Sequence, residues 1–251
     1  MNYPKSDRKV PSNVVSAIEF AGKTGFISKR VWETRFNSGC HTWKIRQFGK
    51  LLKKDIFKPY VTIEKNQFYK LGAAGHILSE KLGIGKIQAP LNNQIFHDEW
   101  IFETVIALKQ AGYAYDWVSE AQLKSGKGLK TDEWQIGSKL PDAVLRVNVK
   151  GTERNMALEY ERTLKSAWRI KESLRAYAGN SLLPLVIYIC ENEVIRQSYF
   201  KILKGLGDTG LNKKVGLTLV DGWHTLPERQ TIQMIERYFC LKEILQTVRA
   251  A

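Results

Sequence analysis

The chain has 251 residues, of which 39 are Lys or Arg and 25 are Asp or Glu, giving a formal charge of +14. Hydrophobic residues at 43% and charged residues at 25% are ordinary globular values and exclude a mostly disordered chain. No window approaches the ~18 consecutive apolar residues of a membrane span. The start, MNYPKSDRKVPSN, lacks the apolar run of a secretory signal. Three widely spaced cysteines (Cys40, Cys190, Cys240) exclude a disulfide framework and a CxxC zinc knuckle, and the four histidines form no HxH or HExxH cradle. The expectation is a soluble, cytoplasmic protein long enough for two modest domains.

Charge is uneven along the chain. Residues 1–90 carry 17 Lys/Arg against 6 Asp/Glu, a net +11, whereas residues 91–251 carry only a net +3. A basic first third on a nearly neutral remainder is the electrostatic footprint of a nucleic-acid-binding module.

In chain order, VVSAIEFA (14–21) predicts a short helix closed by Gly22 and Gly25. Ser28 stands as N-cap before KRVWETRF, with Val31, Trp32 and Phe36 at helical spacing. NSGCH is a turn, and Thr42 is placed to cap a third helix, WKIRQFGKLLKKD. Its apolar face is Ile45, Phe48, Leu51 and Leu52, and its opposite face offers Lys44, Arg46, Gln47, Lys50, Lys53 and Lys54. Trp32 and Trp43 are expected in the core. IFKPYVTI and QFYKL alternate as strands around the turn EKN, and a helix follows over 73–82. This order, and the stretch LLKKDIFKPYVTIEKNQFYKLGAAGHILSEKLG above all, resembles a winged helix-turn-helix domain. The resemblance implies that the third helix enters the major groove, with Lys44, Arg46, Gln47 and Lys50 as base readers or phosphate contacts.

GIGKIQAPLNN (83–93) has loop character, which sets a winged-helix domain at 1–85, a linker at 86–96 and a second domain at 97–251. HDEWIFETVIALKQA (97–111) predicts an amphipathic helix, and YAYDWVSEAQL a first strand. SGKGLKTDEWQIGSK is a polar loop whose basic part, 124–130, is available to a strand backbone. LPDAVLRVNV and MALEYERT read as two more strands about the turn KGTERN, running into the helix LKSAWRIKESLRAYAG. LPLVIYIC is an apolar strand, ENEVIRQSYFKILKGL a helix, VGLTLVDGW a last strand, and 227–248 an amphipathic helix with Ile232, Ile235, Phe239 and Leu245 in the core. The class is α/β (α+β), a sheet with helices packed on it.

Asp142 follows a proline at the start of one strand, and Glu159 and Glu161 share one face of the next. Asp142 and Glu159 are expected to meet at one sheet end, where they repel unless a divalent cation sits between them. Oxygen ligands without Cys or His point to Mg2+ or Mn2+, with Asp142 and Glu159 as metal residues and Glu161 or Glu120 as a third. Such a cation polarises a phosphodiester oxygen and lowers the pKa of bound water, and Lys165 is placed to orient that water. Tyr160 is expected to face the other side of the strand, and Tyr177 to be structural. Glu99 and Glu103 read as further carboxylates or as an ordinary helix surface.

Pro141-Asp142 with Glu159-Tyr160-Glu161 resembles the PD-(D/E)xK signature of restriction-endonuclease-like nucleases, except that Glu161 holds the usual lysine position. WVSEAQL, LPDAVL and ALEYERTLKSAWRIKESLRAY resemble the replication-relaxation family, which includes MobC-type relaxases. By position, that resemblance adds His97 and Glu120 to Asp142, Glu159, Glu161 and Lys165 as site residues, with Lys165 replacing the missing lysine. It implies a relaxase that nicks double-stranded DNA at a plasmid transfer origin to start conjugative mobilisation. Accessory mobilisation and coupling proteins would be its partners, with no membrane and no small-molecule cofactor. The alternative is a non-catalytic DNA-binding replication or transcription regulator with a degenerate nuclease fold.

Overall fold

Two tight turns set the register of the two sheets. Glu64 and Lys65 (φ 48° and 68°) link one strand pair, and Lys150 and Gly151 (φ 50° and 82°) link another. Positive φ at both central residues is the type I′ signature, whose twist matches that of antiparallel strands. The computed structural model describes residues 10–85, 87–91, 93–126 and 139–246. They divide into two units, 1–92 and 93–251, each with its own sheet in a mixed α/β chain. Among the described residues no helix is long and apolar enough to cross a membrane.

The first unit runs α1 (Ser12–Thr24), β1 (Ile27–Ser28), α2 (Lys29–Val31, continued by a π-helical turn Trp32–Phe36), α3 (His41–Lys53), β2 (Phe57–Ile63), β3 (Asn66–Leu71) and α4 (Ala73–Lys81). Gly25 ends α1 at φ 86°, and a Cβ there would lie 2.7 Å from the Ala89 Cα, so only glycine suits this position. Ser28 caps α2 as expected, its Oγ accepting from Val31 N–H. The sheet order is β1-β3-β2, all antiparallel, with Ile63 opposite Asn66 across the Glu64-Lys65 turn. Phe26, Trp32, Phe48, Phe57 and Phe68 form the core.

Three expectations for α3 change. The helix starts at His41 after Cys40, without a side-chain cap from Thr42. Trp43 and Ile45 are each 43% exposed, because Phe48 and Leu51 alone reach the core. Trp43 lies over Gly39, whose missing Cβ makes room for the indole. The segment read as a linker is also partly built into the first unit. Ile84 and Ile87 are buried, and Tyr60 Oη donates to Pro90 O at 2.9 Å.

The second unit contains α5 (Ile95–Gln110), β4 (Ala114–Ser119), α6 (Glu120–Lys124), β5 (Ala143–Val149), β6 (Thr152–Glu161), α7 (Ala167–Arg175), β7 (Leu185–Cys190), α8 (Glu193–Leu206), α9 (Thr209–Lys214) and β8 (Val215–Leu219). A 3-10 turn (Pro227–Arg229), β9 (Thr231–Gln233), β10 (Tyr238–Cys240), α10 (Leu241–Ile244) and β11 (Leu245–Gln246) complete it. The sheet runs β10-β9-β8-β7-β6-β5, and β4 and β11 both pair with β5. β6, β7 and β8 are mutually parallel; the remaining pairings are antiparallel. Ala157, Val186, Tyr188 and Leu217 on one sheet face pack against Ile170, Leu174, Ile195, Tyr199 and Leu203 of α7 and α8.

The helix expected over 227–248 is instead a hairpin and short elements. Ile232 pairs with Phe239 across β9 and β10, which extend the open edge of β8. Ile232, Phe239 and Leu245 are buried as expected, and Ile235 partly so; backbone pairing at a sheet edge overrode their helical spacing. The strand expected over 113–123 stops at Ser119, where a capping box starts α6. Ser119 Oγ accepts from Gln122 N–H at 3.2 Å, and Gln122 Oε1 accepts from Ser119 N–H at 3.1 Å.

Candidate active site

The Lys150-Gly151 turn aligns the site. It pairs Val149 with Thr152, which carries Ala143 opposite Leu158 and so leaves Asp142 beside Glu159 at the strand ends. On the other side of β5, Ser119 pairs with Ala143, and Glu120 N–H donates to Asp142 O at 3.0 Å. One row across three neighbouring strands therefore carries Glu120, Asp142 and Glu159. A cavity of about 230 Å³ opens there, lined by His97, Glu120, Lys124, Lys139, Leu140, Asp142, Glu159, Tyr160, Glu161 and Lys165. The six residues singled out in the sequence thus share one cavity. A cavity of about 290 Å³ in the first unit, lined by Lys58, Tyr60, Lys70 and His76 among others, has no carboxylate among the described residues of its wall.

Asp142 is the most constrained acid. Its Oδ2 accepts from Tyr160 N–H at 2.8 Å and lies 3.4 Å from His97 Nε2. Burial pushes its carboxyl up, but His97, the Tyr160 N–H and Lys139 together hold it below the ordinary value. His97, in the first turn of α5, faces acceptors on both sides. Nδ1 is 3.1 Å from Asp98 Oδ1, and Nε2 is 3.0 Å from Tyr160 O as well as near Asp142. Only an imidazolium has a proton for both nitrogens. Burial works against that charge, but Asp142 and Asp98 outweigh it and lift the imidazole to about 10.

Glu159 is 2% exposed. Lys139 Nζ lies 2.6 Å from its Oε2 and donates to Ser173 Oγ at 2.9 Å, and Tyr177 Oη donates to Glu159 Oε1. Burial, with repulsion from Asp142, still raises the Glu159 carboxyl to about 7 against the pull of Lys139 and Tyr177. Glu161, equally buried, gives both oxygens to Lys165 Nζ at 2.8 and 2.7 Å. Lys165 precedes α7 instead of lying on it, since Ser166 is the N-cap and its Oγ accepts from Arg169 N–H. Glu120 pairs with Lys124 at 2.8 Å on the first turn of α6.

Neighbouring carboxylates are the kind of oxygen donors a hard divalent cation takes, and Asp142 raises the Glu159 carboxyl by repulsion. Lys139 and Tyr177 already hold the two Glu159 oxygens, and Tyr160 N–H and His97 hold Asp142 Oδ2, so an ion there would take the place of the Lys139 ammonium. Glu161 lines the cavity but is held by Lys165, and no group of three His, Cys, Asp or Glu among the described residues is arranged to hold a metal ion.

Tyr160 faces the opposite side of β6 from the two glutamates, with its ring 4.1 Å from that of Trp100, and its Oη donates to Glu191. Tyr177 is fully buried yet also a hydrogen-bond donor to the site. Lys139 went unnoticed in the sequence; the one available signal was its place two residues before Pro141-Asp142. Glu99 and Glu103 are buried on α5 and outside the cavity wall, so they are neither a helix surface nor extra cavity carboxylates; Glu103 lies 3.6 Å from His224 Nδ1. Of the basic loop 124–130, residues 127–130 lie outside the described residues.

On the first unit, α3 presents Arg46, Lys50, Lys53 and Lys54 as exposed side chains and Gln47 as half-buried. Lys44 is drawn inward, donating to Glu33 O at 2.6 Å. Compared with known protein families, characterised proteins and solved structures, the chain gives no match.

Proposed function

We propose that the chain is a DNA relaxase: a site- and strand-specific endonuclease that nicks a plasmid transfer origin by hydrolysis assisted by Mg2+ or Mn2+. On this reading, the first unit is a winged helix-turn-helix that binds double-stranded DNA, and the second is a PD-(D/E)xK-type nuclease domain. The observation that carries it is the alignment of Asp142 with Glu159 at one end of the sheet, in a cavity also lined by Lys165 and His97. Support for the first unit comes from the three-stranded β1-β3-β2 sheet beside the outward basic face of α3.

Asp142 and Glu159 would hold the ion, which when bound supplies Lewis-acid activation of water and of the phosphate. The chain's own residues do the remainder. The His97 imidazolium fixes the Asp142 carboxylate, and the Tyr160 N–H fixes its orientation. Lys139 and Tyr177 keep Glu159 aimed and partly neutralised in its buried position. Lys165, anchored on Glu161, presents positive charge to the phosphate undergoing attack. Hydrolysis forms one P–O bond from water and breaks one P–O bond of the strand, leaving no protein attached to the DNA. Accessory mobilisation and coupling proteins would be the partners in transfer.

A second reading, a DNA-binding regulator without catalysis, is favoured by one feature. Each cavity carboxylate already has a protein cation: Asp142 has His97, Glu159 has Lys139, Glu161 has Lys165 and Glu120 has Lys124. Supercoiled plasmid carrying the presumed transfer origin separates the two. Wild type and Asp142→Ala are incubated with manganese or with chelator, then treated with protease before electrophoresis. Open circles from wild type with metal alone support the nickase, whereas tight binding with no nick supports the regulator. A protein-linked DNA end would retain the relaxase and reject hydrolysis.

A further inference from the structure

Trp168 is 69% exposed and Leu164 54% exposed, on either side of Lys165. They are out of keeping with their surroundings, since Trp117 and Trp223 of the same unit are buried. On α7, Ile170 and Leu174 reach the core. Trp168 stands about 200° round the helix from Ile170 and so points away from that core. Its indole has no aromatic or cation–π partner among the described residues. Along the same segment, Arg162, Arg169 and Lys171 are exposed and have no ion-pair partner among the described residues, while Glu172, one turn on from Trp168, is paired with Arg175 at 3.6 Å. The connection that carries Leu164 also carries Lys165, which lines the carboxylate cavity.

An exposed aromatic ring among unpaired cations, one residue type stacking a base and the other meeting phosphates, is how single-stranded nucleic acid is held without base-specific readout. We infer that Trp168 is a stacking platform for an unpaired base of single-stranded DNA next to the cavity, with Arg162, Arg169 and Lys171 on the adjoining phosphates. This rests on the nuclease reading for the identity of the strand and deepens it. The substrate at the cavity is then a locally melted strand, while the basic face of α3 engages duplex. Fully paired DNA has no free base face to offer the indole.

The test uses the full chain carrying Asp142→Ala, so that binding is read without cleavage, and compares Trp168, Trp168→Phe and Trp168→Ala. Binding of labelled oligothymidylate and of a labelled duplex is followed by fluorescence anisotropy, and self-association by sedimentation velocity. Trp168→Ala should lose about tenfold or more in affinity for the single strand, the usual loss of one base–aromatic stack, and keep its duplex affinity; Trp168→Phe should recover most of it. Equal single-strand affinity for Trp168→Ala overturns the inference. So does a substitution that dissociates a dimer, which would make the patch an interface between copies of this chain. The plasmid assay on the chain with Asp142 intact separates the readings: nicking with no effect of Trp168→Ala on single-strand binding rejects the platform alone. A Trp168-dependent single-strand affinity without nicking rejects the nuclease alone.

Discussion

Lys139→Met isolates the charge balance around Glu159. In the wild type, Lys139 Nζ lies 2.6 Å from Glu159 Oε2, donates to Ser173 Oγ, and sits over the rings of Tyr177 and Tyr188 at 5.7 and 5.5 Å. Removing one partner of a buried ion pair costs about 3–5 kcal/mol if the other stays buried and charged. Glu159 escapes part of that cost by taking up a proton. Its carboxyl already titrates at about 7, raised from 4.5 by burial and then by Asp142. A raised carboxyl favours the folded state below its unfolded pKa and loses that advantage as pH rises through the folded value. At about pH 8, protonating a group raised to about 7 costs on the order of 1–2 kcal/mol, and a lost hydrogen bond to Ser173 adds about 1. The expected loss is therefore about 2–3 kcal/mol at pH 8. At about pH 5, Glu159 is protonated in both proteins and the loss falls to about 1 kcal/mol. Urea unfolding followed by circular dichroism at the two pH values checks this. In the Glu159→Gln background the cost of Lys139→Met should no longer depend on pH. Manganese should raise the midpoint of Lys139→Met more than that of wild type, because a cation then fills the place of the ammonium. An equal loss at both pH values would refute the account of Glu159.

His97 in chelator-treated protein should remain protonated at neutral pH, read from its ring 15N shifts, since its imidazole is raised to about 10 by Asp142 and Asp98. The sign follows: this pairing stabilises the fold fully below the unfolded value of about 6.5 and is lost as pH rises through about 10. Asp142→Asn should move the His97 titration down, and an unmoved titration would remove Asp142 as the cause. On the first unit, Arg46→Ala or Lys50→Ala should weaken duplex binding and reduce the slope of log affinity against log salt by about 0.9 for each phosphate no longer neutralised. Lys44→Ala should reduce that slope less, because its ammonium is held by Glu33 O. Equal slopes for wild type and all three variants would move the duplex interface off α3.

Elements bounded by local chemistry were legible in the sequence. Ser28 announces α2, and the alternation in 57–63 and 66–71 announces a strand pair. The strand that follows Asp142 and the strand that carries Glu159 are equally plain, because apolar β-rich runs flank a turn that only a few residue types suit. Elements decided by distant partners were not. The apolar positions of 232–245 fit a helix until the open edge of β8 supplies hydrogen-bonding partners that no local pattern records. Trp43 was misplaced for a related reason. Large aromatics are expected inside, but the room over Gly39 is a property of the folded turn.

The same division runs through the site. Asp142, Glu159 and Glu161 were visible because a strand's two-residue period and a short hairpin turn put them together by geometry internal to two neighbouring segments. Lys139, Tyr177 and Ser173 come from outside that hairpin and were invisible as site residues, although Lys139 and Tyr177 hold Glu159 and Ser173 holds Lys139. Glu161 occupies the position where the nuclease signature has its lysine, yet the cavity is not short of ammonium groups. Lys165 returns one from four residues downstream, bound to Glu161 itself, and Lys139 brings another from beyond β5. On the proposed nuclease reading, Glu161 therefore relocates positive charge instead of deleting it. A buried carboxylate at that position also creates the anchor that holds Lys165 at the cavity wall. Against the nuclease signature the sequence resembles, Glu161 is a departure; in the folded site, it holds Lys165 at the cavity wall.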